Sequence, residues 1–232
     1  MKTAIAQVKM PVAVLLCGLW VPTWVSAQTV WVDWSSSTIG APGSAAGAVS
    51  GVGVSYSGEL DAAVTNGSGN IWSPASTWIG GASTSSPNTV ADYIRLNGDF
   101  RGTNTVTFSS PLNSPLFAIY SLGTSLIPIS FTFNLAPTVQ AGGPSAGFGG
   151  VAVTVAGNVM TGREGNGVVQ FAGSVSSISW TVDAFENYFA FTVGSSAPVP
   201  EPSGQLMMLG GMALLLHAVR RRASGPTAGC TS

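Results

Sequence analysis

Between residues 28 and 197 this chain has no histidine, no cysteine and no lysine. Each absence removes a class of chemistry. Without imidazole there is no Ser-His-Asp triad, no histidine-held zinc and no side chain that shuttles protons near neutrality at its ordinary pKa. Without thiols there is no cysteine nucleophile, no cysteine-type structural zinc and no disulfide. Without lysine there is no Schiff base. The cations of this stretch are Arg95, Arg101 and Arg163, against the acids Asp33, Glu59, Asp61, Asp92, Asp99, Glu164, Asp183 and Glu186, a net charge of −5. Nucleic acid requires a cationic face, so it is not an expected partner. No Walker loop or dinucleotide-binding fingerprint appears in a strand-to-helix context, and no cofactor is expected. A sustained 3.6-residue apolar stripe is missing too, which argues against helix throughout this stretch. No catalytic residue can be assigned, and the chain reads as a non-enzymatic protein.

What remains is rich in turns and period-two patterns. The 232 residues include 30 Gly and 14 Pro, while only 7% are charged. Val30, Val32 and Trp34 share one face of an opening strand, and Val52, Val54 and Tyr56 share one face of the next. The pattern recurs at Ile94 and Leu96, Val106 and Phe108, Phe117 and Ile119, Phe131 and Phe133, and Val151, Val153 and Val155. It returns at Val169 and Phe171, at Ile178, Trp180 and Val182, and at Phe189, Phe191 and Val193. One apolar and one polar or small face describes an antiparallel sheet packed on one side. Asn66-Gly67, Asn97-Gly98 and Asn166-Gly167 are expected tight turns, and Gly157-Asn158 a hairpin. Residues 35–51 and 71–87 read as loop-rich. The expected fold is all-β, an antiparallel two-sheet β-sandwich of roughly 8 to 12 strands, jelly-roll-like.

Two groups of residues invite a functional reading. Glu59 and Asp61 are two apart and would share one face of a strand. Two carboxylates are the minimum equipment of a glycosidase, and the same pair is a weak candidate for ligating Ca²⁺. The plain alternative is a solvated strand edge protected by charge. Trp72 and Trp78 lie in a Ser/Gly/Pro-rich stretch, where a large aromatic needs a reason, and Trp31 falls opposite Val30 and Val32. These three indoles are candidates for stacking on sugar rings. The alternative for the loop pair is an apolar lid folded over the end of the sandwich. Trp34 and Trp180 fall on apolar strand faces and are expected in the core. Asp183 and Glu186 bracket a probable turn and read as surface charge. Arg95 and Arg101 are expected to make local ion pairs with Asp92 and Asp99.

The two ends read as addresses. Lys2 and Lys9 precede an apolar run at 11–21 (PVAVLLCGLWV), and Val25-Ser26-Ala27 supplies small residues for cleavage between Ala27 and Gln28. Residues 1–27 are therefore expected to be a signal peptide. An 11-residue run is too short to span a bilayer. At the other end come Pro198-Val199-Pro200-Glu201-Pro202, an uncharged run at 203–219 (SGQLMMLGGMALLLHAV) and Arg220-Arg221-Arg222. As a helix the run would measure roughly 26 Å, close to the ~30 Å hydrocarbon core. The positive-inside rule keeps the arginines cytoplasmic and the main domain outside.

Pro200-Glu201-Pro202, the apolar run and Arg220-Arg221-Arg222, in this order, resemble the PEP-CTERM sorting signal of Gram-negative bacteria that make exopolysaccharide. The resemblance implies export through the Sec translocon, transient anchoring in the inner membrane by the C-terminal helix, and recognition by exosortase with cleavage near the motif. The implied division is a signal peptide at 1–27, a secreted β-sandwich at 28–197, a sorting signal at 198–222 and a cytoplasmic tail at 223–232. The implied destination is the cell envelope or extracellular matrix, in association with exopolysaccharide or biofilm. The second half of the body is also similar to secreted domains found ahead of such signals, at 117–123 (FAIYSLG), 142–145 (GGPS), 162–169 (GREGNGVV) and 178–194 (ISWTVDAFENYFAFTVG). That likeness supports architecture and address and carries no activity with it. A carbohydrate-binding module, with a structural calcium, is the alternative to a purely structural matrix protein.

Overall fold

The computed structural model describes residues 28–197 together with Gly211. Residues 1–27, expected to be a signal peptide, the Pro200-Glu201-Pro202 motif, Arg220-Arg221-Arg222 and the expected tail at 223–232 lie outside the described residues. Among the described residues no helix is long and apolar enough to cross a membrane.

The described chain is all-β, with fifteen strands in two antiparallel sheets. In chain order they are β1 (Gln28–Trp31), β2 (Asp33–Thr38), β3 (Gly40–Val49), β4 (Val52–Leu60), β5 (Ala62–Val64), β6 (Tyr93–Leu96), β7 (Asn104–Asn113) and β8 (Leu116–Leu122). Then follow β9 (Ile129–Phe133), β10 (Pro137–Gly142), β11 (Thr154–Ala156), β12 (Val159–Gly162), β13 (Gly165–Phe171), β14 (Ser174–Val182) and β15 (Phe189–Ala197). One sheet runs β10-β13-β8-β15-β6-β5, with β1 also paired to β15; the other runs β11-β12-β9-β14-β7-β4-β3-β2. From β8 onward the pairing is nested: β8 with β15, β9 with β14, β10 with β13 and β11 with β12. Successive pairs alternate between the two sheets. The innermost pair closes at Gly157-Asn158, with Ala156 opposite Val159 and Gly157 at φ +62°, the two-residue hairpin the dipeptide announces.

The period-two residues build the shared core. Val32, Trp34, Val54, Tyr56, Ile94, Leu96, Val106 and Phe108 meet Phe117, Phe131, Phe133, Phe171, Trp180 and Phe191 in one buried cluster drawn from both sheets. At its centre Phe117 stacks on Phe191 with ring centroids 5.1 Å apart, and meets Trp180 edge-on at 5.2 Å. Such pairs contribute about 0.5–1.5 kcal/mol each beyond their burial.

Four expectations need correction. The strand count exceeds 8 to 12, because short strands such as β5 and β11 extend the sheet edges. Residues 35–51 are not loop-rich: they form most of β2 and β3, whose Gly, Ala and Ser side chains give pairing without a strong apolar alternation. Asn166-Gly167 is not a turn but lies within β13, where the register to β8 shifts between Gly165 and Gly167. Val151 is exposed, while Val153 is buried.

The sheet carrying β8 is also buried on both faces rather than one. Phe117 and Ile119 point into the main core, whereas Leu116, Ala118 and Tyr120 belong to a second cluster with Trp31, Trp72, Trp78, Ala141 and Ala190. The cover is the segment between β5 and β6, which includes short 3-10 turns at Ala75–Trp78 and Pro87–Thr89. Asp92 fastens it down: one oxygen accepts the Trp34 amide at 3.0 Å and the other the Gly67 amide at 2.8 Å. The lid thus lies over an outer sheet face and not over the end of the two sheets.

Candidate functional site

The three tryptophans proposed for sugar stacking are out of reach of any ligand. Trp72 and Trp78 have no exposed surface, and Trp31 is 1% exposed. Trp72 meets Trp78 edge-on at 5.4 Å, Trp78 stacks on Tyr120 at 6.2 Å and donates its indole N–H to the Ile119 carbonyl at 3.2 Å. Trp31 donates to the Ser85 carbonyl at 3.0 Å. Stacking needs a free ring face, and all three faces are spent on the second core.

Glu59 and Asp61 do not form a paired-carboxylate site. The chain passes from one sheet to the other between β4 and β5, which breaks the strand face the two residues were expected to share. Glu59 is buried and holds the Asn97–Asp99 turn, accepting the Gly98 amide on Oε2 at 2.8 Å and the Asp99 amide on Oε1 at 3.1 Å. It is neither a solvated edge nor a free base. Asp61 pairs with Arg95, whose Nε donates at 2.7 Å. Glu59 and Asp61 line a cleft of about 260 Å³ with Asp99. No group of three or more His, Cys, Asp or Glu side chains among the described residues is placed to hold a metal ion.

Arg95 therefore reaches Asp61 and not Asp92, and Arg101 donates to the Asp183 carbonyl at 3.4 Å rather than to a neighbouring acid. Arg95 and Asp61 are each about one-third exposed, so the pair is largely screened. Replacing Arg95 by Met is expected to lower stability by no more than about 1 kcal/mol, measured by urea unfolding.

A second cleft, of about 190 Å³, brings together Ser121, Phe148, Glu164, Glu186, Asn187 and Tyr188, with Thr124 at its border. Four chain segments meet there. Ser121 comes from β8, Glu164 from the turn between β12 and β13, Phe148 from the Gly-rich segment before β11, and Glu186 from the turn before β15. Ser121 and Glu164 both sit at positive φ, +57° and +48°, which is uncommon for residues with a side chain. The Ser121 hydroxyl donates to Glu164 Oε2 at 2.6 Å.

Buried Asn166 ties these segments together. Its Oδ1 accepts the Ser121 amide at 2.9 Å. Its Nδ2 lies 2.8 Å from the Glu164 carbonyl, 3.0 Å from that of Gly149 and 3.3 Å from that of Gly143. One amide side chain thus sets the strand, the turn with its carboxylate, and the segment that presents Phe148.

Glu186 is 6% exposed, against the expectation of a surface charge. Its own amide donates to the Asn97 carbonyl at 2.7 Å, folding the turn inward. Oε2 accepts the Gly123 amide at 2.6 Å. Burial pushes this carboxyl up to about 8, with the charge of Glu164 adding to the rise and the Gly123 amide opposing it. Tyr188, Phe148 and Tyr120 form a triangle of rings with centroids 5.7 to 6.0 Å apart, and Phe148 is half-exposed. The Arg95 guanidinium sits 5.4 Å above the Tyr188 ring on the far side of its pairing with Asp61. Burial raises the Tyr188 and Tyr120 hydroxyls above their usual value, so both stay protonated donors.

No family model, no curated protein and no solved structure matches this chain.

The chemistry of this second cleft is an acid beside a carboxylate, a half-exposed phenylalanine ring with a partly buried tyrosine beside it, and short hydroxyl and amide side chains. The sequence reading passed over Glu164 and assigned Glu186 to the surface. The one visible signal was Glu164 between Gly162 and Gly165, an acid held in a glycine-flanked turn. Gly150 supports that turn from behind: at φ +79° a Cβ there would run into the Glu164 carbonyl. Gly150→Ala is expected to destabilise the fold by about 1–3 kcal/mol, read as a lowered urea midpoint.

Proposed function

We propose that this protein is an exported, non-enzymatic component of the cell envelope or extracellular matrix, delivered by the PEP-CTERM and exosortase route and retained with exopolysaccharide. The observation that carries this reading is the order of Pro200-Glu201-Pro202, an uncharged run and Arg220-Arg221-Arg222 near the C-terminus. The N-terminal apolar run followed by Val25-Ser26-Ala27 supports export. A body free of Cys, His and Lys between 28 and 197 supports a structural rather than catalytic role. In this reading residues 1–27 are removed, the apolar run at 203–219 crosses the inner membrane until exosortase acts, and 223–232 stays inside. The nested strand pairs fit a jelly-roll-like sandwich as the exported body.

The intact mass of the protein from its native host tests this. Wild type should lack residues 1–27 and the segment beyond the motif, and Glu201→Ala should retain that segment. Native material that keeps both ends would overturn the reading.

A carbohydrate-binding module is the second reading. Its support is the cleft of Glu164, Glu186, Phe148 and Tyr188, since Trp31, Trp72 and Trp78 are enclosed.

A further inference from the structure

We propose that the cleft between Glu164 and Glu186 binds a hexosamine unit of a polysaccharide through its free, protonated amine. This deepens the carbohydrate-binding reading and rests on it.

Three features select this ligand. The first is uncompensated charge. The Glu164 carboxylate accepts the neutral Ser121 hydroxyl, and no Arg lines the cleft. A neutral sugar would cover the Glu164 carboxylate without offsetting it, and taking a carboxylate out of water unpaired is costly. An ammonium group supplies the missing charge and three N–H donors. An anionic sugar is excluded by the same groups, in a domain of net charge −5. The second feature is the rings. Phe148 and Tyr188 border the acids and offer apolar surface to the C–H face of a sugar, and the half-exposed Phe148 ring, which carries no cation among the described residues, favours an ammonium group beside it. The third is the polar border. Thr124 and Asn187 present hydroxyl and amide groups that match ring hydroxyls and would find nothing on the bare aliphatic stem of a lysine. The volume of about 190 Å³ suits one ring rather than a drug-sized ligand, whose sites run ~300–1,000 Å³.

Binding is also linked to a proton. The groups facing Glu186 are the Glu164 carboxylate, the Gly123 amide, and Tyr188, which carries Arg95 on its ring. An ammonium beside Glu186 favours its ionised form, so complex formation near pH 7 expels the proton that burial holds there.

The test is titration calorimetry on the protein purified from its host, with four probes: glucosamine oligomers, the same oligomers fully N-acetylated, glucose oligomers and an oligolysine peptide. The amine sugar should bind at least tenfold more tightly than the other three. Glu164→Gln and, separately, Phe148→Ala should each weaken it at least tenfold, with the thermal midpoint reported alongside. Repeating the titration in buffers of different ionisation enthalpy should show more protons released by wild type than by Glu186→Gln. Equal or tighter binding of the acetylated or glucose oligomers overturns the inference and leaves the carbohydrate reading standing. Equal binding of oligolysine overturns the choice of a sugar. No binding of any oligosaccharide overturns both. Full affinity in Phe148→Ala and Glu164→Gln overturns the assignment to this cleft.

Discussion

Replacing Asn166 by alanine is expected to remove about 3–4 kcal/mol of stability, among the largest losses available to a single polar side chain here. Asn166 has no exposed surface; its carboxamide oxygen accepts a backbone amide of β8, and its two N–H groups are shared among three carbonyls of the Glu164 turn and the segment 143–149. Truncation leaves the buried Ser121 N–H with no acceptor, at a residue already held at φ +57°. An orphaned buried donor costs about 1–3 kcal/mol, and each of the two lost N–H donations adds about 0.5–1.5 kcal/mol. The Gly149 carbonyl retains the Ser145 amide at 2.6 Å, which trims the sum. Water entering from the cleft would trim it further. At about 2–4 °C per kcal/mol for a domain of this size, the thermal midpoint should fall by roughly 10 °C. Calorimetric unfolding checks this directly. A fall of under 2 °C would mean that the three segments are held by other contacts and that Asn166 is not the pin. The same substitution should free the Glu164 turn, so any ligand of the cleft should be lost before the fold is.

The core was legible in the sequence because a buried strand face repeats every second residue, and that repeat survives any detail of topology. Trp34, Val54, Tyr56, Phe108, Phe131 and Trp180 all point where the alternation places them. The second core was not legible, because β8 is buried on both faces and its sequence LFAIYSL carries no polar face to announce one. The lid that covers it is a Ser/Gly/Pro-rich segment, and its composition describes a loop without saying which surface the loop will seal. Trp72 and Trp78 therefore read as either ligand platforms or a lid over the end of the sandwich, when the apolar surface they cover is the outer face of β8. The cleft failed for a different reason. Ser121, Glu164 and Glu186 come together only through non-local pairing of β8, β13 and β15 and through positive φ at two non-glycine residues. No local pattern encodes either. Asn166 was seen as half of an Asn-Gly turn, and the same small amide that suits a turn was used instead as a buried four-way connector.

Stability should fall as pH rises from about 5 to about 8, and Glu186→Gln should flatten that fall. Burial, reinforced by the charge of Glu164, holds the Glu186 carboxyl at about 8 in the folded protein against an ordinary value of 4.5. Below about 4.5 both the folded and the unfolded chain carry the proton, and stability does not depend on this group. Between about 4.5 and 8 the unfolded chain has lost the proton while the folded chain keeps it, so each step up in pH favours unfolding. Above about 8 both states are ionised and the dependence ends. At 1.36 kcal/mol per unit the full span corresponds to roughly 4–5 kcal/mol, which is the ceiling reached if the turn before β15 does not relax. Asp92 adds a fall of the same sign beginning from its usual value of 3.8, because burial raises it as well, and this part persists in the variant. General repulsion in a body of net charge −5 also grows with pH, and it too is common to both proteins. The comparison therefore isolates Glu186: glutamine keeps an oxygen for the Gly123 amide and cannot ionise. Variant and wild type should unfold at similar temperatures near pH 5, and the variant should be the more stable by roughly 10 °C at pH 8. Parallel pH profiles would show that the Glu186 side chain is solvated when it ionises, and that the cleft lacks the buried acid on which proton-linked ligand binding depends.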